Sequence, residues 1–102
     1  MLDELPIPPA VRSDKKSREL IRAWAAHGGL HCSLNVDSWG EKEPMFWGIL
    51  LTDVVPHVAN ALNEAKGWDK SETIREIRRV FNAELDDPPQ ILRDSFTLTE
   101  WT

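Results

Sequence analysis

Residues 30–36 alternate strictly, with Leu30, Cys32, Leu34 and Val36 apolar and His31, Ser33 and Asn35 between them. A period of two predicts a strand with one buried face and one polar face. On either side the period changes to that of a helix. Leu20, Ile21 and Trp24 stand at i, i+1 and i+4, which predicts a helix from Asp14 to His27. Ser13 or Asp14 caps it, and Gly28 supplies the left-handed residue that ends it. Further on, Ile74, Ile77, Phe81 and Leu85 form the apolar stripe of a helix over residues 70–85. Asp69 with Glu72 three residues later makes a variant capping box, and Pro88 and Pro89 stop the helix.

Residues 45–66 admit two readings. Trp47, Leu50, Leu51, Val54, Val58, Ala61, Leu62 and Ala65 fit one continuous helical stripe. Pro56 then lies mid-helix, at a cost of about 3 kcal/mol or more. In the alternative, residues 45–51 form a second strand and Thr52 or Asp53 caps a new helix. Pro56 then falls in a first turn, where the amide it lacks has no helical partner anyway. The split is preferred because it gives residues 30–36 an antiparallel partner, and a lone strand leaves backbone groups unpaired.

Pro6, Pro8 and Pro9 make residues 1–12 an arm in which neither helix nor inner strand is expected, with Leu5, Ile7 and Val11 laid against the body. The expected architecture is therefore α+β in the order α-β-β-α-α, an antiparallel hairpin packed against helices behind a proline-rich arm. One domain of 102 residues is expected: an arm at 1–12, a folded body at 13–88 and a tail at 89–102. Within the tail, residues 96–101 are a candidate short strand.

Composition narrows the function classes. Net charge is −5, with the excess acid in the second half. Nucleic acid and anionic membranes both call for clustered positive charge, so neither is an expected partner. Cys32 is the only cysteine; one thiol suits a reducing compartment, and the acidic, proline-rich N-terminus lacks the form of a signal peptide. The strongest apolar run, residues 46–51, is short for a membrane span. A cytoplasmic protein is expected.

Three stretches carry a resemblance: ELPIPPAV at residues 4–11, AWAAHGGLHCSLN at 23–35 and WGILLTDVVPHVA at 47–59. On these the chain resembles a family of small bacterial proteins known only as a domain of unknown function. The resemblance implies a compact bacterial domain with a hairpin and flanking helices, and it brings no catalytic residue.

Candidate chemistry is sparse. His27, His31, Cys32 and His57 are the soft metal-ligand types. His31 and Cys32 point to opposite faces of a strand, and no second cysteine completes a zinc spacing. No metal or cofactor is expected. Cys32 falls on the apolar side of its strand, which predicts an inert buried thiol. Asp53 and His57 are four apart on a helix face, a spacing that serves a base and its orienter or, more simply, a cap and a local bond. No catalytic residue is assigned.

Trp39 is the one large apolar residue in the loop DSWGEKE. It is either a binding anchor or a lid packed over Trp47 or Leu34. Two function classes follow. The preferred one is a non-enzymatic protein-interaction or adaptor domain whose partner is another protein or a second copy. The alternative is a small-ligand binder or minor enzyme using the His31/His57 neighbourhood. Trp39, His31 and His57 are the candidate binding residues.

Overall fold

A computed structural model of the chain describes residues 2–86. It is α+β, as expected, with the elements α1 (Pro9–Ser13), β1 (Ile21–Ala26), β2 (Gly29–Leu34), a 3-10 turn (Gly40–Lys42), α2 (Glu43–Lys66) and α3 (Lys70–Asp86). The expected tail, its candidate strand at 96–101 and the stop at Pro88 and Pro89 lie outside the described residues.

The proline arm contains helix after all. Pro9 opens α1, where its fixed φ suits a first turn and its missing amide costs nothing. Asp14 caps a turn rather than a helix: its carboxylate accepts from the Lys16 amide at 2.9 Å and its carbonyl from the Ser17 amide at 3.1 Å. The chain then leaves extended.

The helix expected over residues 14–27 is instead β1, and it is β1, not residues 45–51, that pairs with β2. The two strands are antiparallel, with Ile21 opposite Leu34 and Ala26 opposite Gly29. The cause is the turn. His27 and Gly28 both have positive φ, 51° and 72°, which makes a two-residue type I′ turn whose twist matches that of the strands. Gly28 therefore reverses a hairpin instead of ending a helix. Residues opposite one another share a face. Ile21, Ala23 and Ala25 thus join Leu30, Cys32 and Leu34 on the apolar side, while Trp24 faces His31 on the other.

With β2 paired locally, residues 45–51 are free to stay helical, and the long-helix reading is the correct one. α2 runs unbroken for 24 residues through Pro56 and ends at Gly67, whose φ of 73° and amide bond to the Asn63 carbonyl at 2.8 Å form the C-cap. Pro56 offers no amide to the Thr52 carbonyl. In the same turn the Thr52 hydroxyl donates back to the carbonyls of Gly48 and Ile49 at 3.1 and 2.9 Å.

α3 begins as expected. The Asp69 carboxylate accepts from the Glu72 amide at 2.9 Å. Asn63 donates to the Trp68 carbonyl at 2.8 Å, which ties the short connection to α2. The two helices then pack together, and the residues of lower exposure that they bring include Val55, Ala59 and Leu62 on α2 and Ile74 and Ile77 on α3.

Hairpin and helices make no close backbone approach to each other among the described elements. Cys32, 3% exposed, and Ala59, 1% exposed, are the buried apolar residues of the described chain. Burial of Cys32 agrees with its expected place on the apolar face.

Two glycines should respond oppositely to alanine, and neither added Cβ would meet an atom within 4 Å. Gly28→Ala forces a side chain into left-handed backbone and should destabilise by about 1 kcal/mol. Gly48→Ala, inside α2, should stabilise by about 1 kcal/mol. Thermal unfolding followed by circular dichroism should show the two midpoints moving in opposite directions.

Candidate functional site

The loop between β2 and α2 is held by one carboxylate. Glu43, the first residue of α2, accepts the backbone amides of Asp37, Ser38 and Trp39 at 2.7, 2.9 and 3.1 Å. It also accepts the indole N–H of Trp47 at 3.0 Å. Asp37 has a φ of 67°, and this left-handed residue helps curl the three amides toward one point. The indole bond, followed by the amide bonds, holds the Glu43 carboxyl below its ordinary value. The negative charge also sits at a helix N-terminus, where the dipole favours it.

This clamp fixes Trp39. Its ring lies 5.4 Å from Phe46 and 6.4 Å from Trp47, edge to face with the latter. Trp39 is half-buried, so of the two sequence readings the structure adopts the lid over Trp47. His31 is half-buried on β2, where Nε2 stands 3.0 Å from the Ala26 carbonyl and its ring meets that of His27 edge to face at 6.5 Å. His57 is exposed on α2. His31 and His57 stand on separate elements, β2 and α2, which make no close backbone approach to each other. Among the described residues no three His, Cys, Asp or Glu side chains are grouped to hold a metal.

What the fold does present is apolar surface. Leu51, Val54 and Val58 of α2 are 39%, 45% and 39% exposed, and Phe81 and Leu85 of α3 are exposed as well. Between the helices lies an open groove of about 420 Å³ whose lining includes Leu51, Pro56, Ile77 and Phe81. The hairpin adds Ile21, Leu34 and Val36, and the arm adds Leu2, Leu5 and Ile7. The arm is tied down where Arg22 bridges Glu4 and Glu19 at 3.1 and 3.0 Å. By length and composition alone, Gly40–Lys66 is also apolar enough to cross a membrane. Asp53 and His57 stand near its middle, where ionisable groups are costly in lipid.

The clamp and the α2 surface are the features that sequence reasoning did not single out. The stripe was visible, but its excess over what one neighbouring helix can cover was not. Nothing in the sequence marked Glu43, since its partners are backbone amides.

A small α+β domain with a helical hairpin and an uncovered apolar face is the class these observations define. The chain belongs to the family described as a domain of unknown function, DUF5076, which it matches over residues 4–89. It is similar to a solved structure from the photosynthetic bacterium Rhodopseudomonas palustrus CGA009, described as a "putative pyruvate dehydrogenase". Identity is 28% and the TM-score 0.65, over 86% of this chain and 88% of that one. No curated protein matches the chain.

The clamp predicts a pH dependence. A depressed folded pKa means that ionised Glu43 contributes its full stabilisation above the ordinary value of 4.5 and loses it as pH falls through the lowered folded value. Glu76, lowered by its bond to Arg79, adds to the same window. Glu43→Gln should lower stability at neutral pH and leave a shallower acid limb. Denaturant midpoints measured from neutral to acid pH should converge for variant and wild type.

Proposed function

We propose that this chain is a non-enzymatic protein-interaction domain of the bacterial cytoplasm, whose apolar surface is completed by a protein partner. The observation that carries this reading is the exposure of its large side chains. Fifteen large apolar residues of the described chain are 37% exposed or more. Among them Leu51, Val54 and Val58 stand on one side of α2 and Phe81 and Leu85 on α3, a concentration of exposed apolar side chains on the helical hairpin. A single thiol suits a reducing cytoplasm.

The activity in the neighbour's name supplies the enzymatic alternative. It calls for a pocket where polar groups converge on a small substrate, and His31 and His57 on separate elements favour it little.

Two measurements test the reading. In native cell extract the chain should migrate as an assembly of at least twice 11.6 kDa. Purified protein supplied with pyruvate and a redox acceptor should show no turnover. A free monomer in extract, or catalytic turnover, would each defeat the proposal.

A further inference from the structure

We propose that α2 is the interface of a two-fold homodimer in which it pairs antiparallel with α2 of a second copy. The second copy is then the protein partner of the preceding reading, on which this assignment rests. Trp47, half-buried with Trp39 across one side of it, heads a line with Leu51, Val54, Val58, Ala61 and Ala65 at steps of 4, 3, 4, 3 and 4. That is the spacing of a two-helix seam, which keeps one apolar line toward a partner helix. The seam lies about a quarter of a turn from the line of Val55, Ala59 and Leu62. Leu51, Val54 and Val58 are 39–45% exposed, and Ala61 and Ala65 are exposed too. Pro56 falls on the opposite side of the helix, nine residues after Trp47, so its ring does not obstruct the seam.

The orientation comes from side-chain size. The steps read the same in both directions about position 56. An antiparallel partner centred there sets Trp47 against the partner's Ala65, Leu51 against the partner's Ala61 and Val54 against the partner's Val58. Every layer joins large to small or medium to medium, as close packing requires. A parallel pair instead stacks Trp47 on Trp47 at one end and Ala65 on Ala65 at the other, which splays the helices. Antiparallel α2 helices also oppose their dipoles and bring Lys66 near the partner's first turn, where Glu41 and Glu43 stand. An isologous contact of this kind closes on itself and leaves no further copy to add.

The full chain should sediment as a dimer at micromolar concentration. Val58→Glu places two charges near the two-fold axis and should shift the mass to 11.6 kDa, whereas Ile49→Glu, on another face of α2, should leave the dimer intact. Orientation is read by cross-linking in a Cys32→Ala background. Leu51→Cys combined with Ala61→Cys should give a covalent dimer on mild oxidation. Ala65→Cys alone should not, because the two copies of residue 65 lie about 27 Å apart along the antiparallel pair. A wild type that stays monomeric at all concentrations overturns the dimer while leaving a different protein partner for the interaction reading. Efficient cross-linking through Ala65→Cys, without it through the paired variant, overturns the antiparallel sense. If Val58→Glu fails to fold, the cross-linking pattern still decides.

Discussion

α2 is apolar around more of its circumference than one neighbouring helix can cover, and the rest of the structure answers to that constraint. A helix with a single apolar stripe needs one partner; one with two or three apolar faces needs several. α3 covers the line of Val55, Ala59 and Leu62. Trp39 and the turn at Gly40–Lys42 cover the first turn, over Phe46 and Trp47. The line from Leu51 through Val58 stays 39–45% exposed. The same apolarity explains how the helix survives Pro56. A lost backbone bond is outweighed when most side chains along 24 residues gain by remaining in one rigid element.

The described elements are specified locally. A two-residue turn fixes the register of the hairpin. A single carboxylate fixes the loop that follows, through three amides and an indole. Asp69 starts α3, and Asn63 with Gly67 sets the corner before it. These polar devices do not require a large core, which accounts for well-formed elements in a protomer that buries so few large side chains.

The same geometry shapes the functional reading. Trp39 packs against Phe46 and Trp47, and His31 and His57 stand on separate elements. Surface chemistry therefore concentrates on apolar complementarity rather than on converging polar groups. That distribution supports the proposed interaction reading; the family to which the chain belongs is a domain of unknown function.

Periodicity alone determined that Leu30, Cys32 and Leu34 share a strand face and that residues 70–85 are helical behind Asp69. Each of these rests on a local rule: alternation, a capping carboxylate, a stripe at helical spacing. The partner of β2 was beyond such rules. Residues 21–26 carry a short pattern that fits a helix turn, and residues 45–51 suit strand or helix equally. Only tertiary pairing chose between them, because the type I′ turn at His27 and Gly28 offers β2 a partner two residues away. Once that partner is supplied, α2 no longer has to break at Pro56. The Glu43 clamp was equally silent in the sequence, since it is written in backbone amides that acquire an address only after the loop has folded around them.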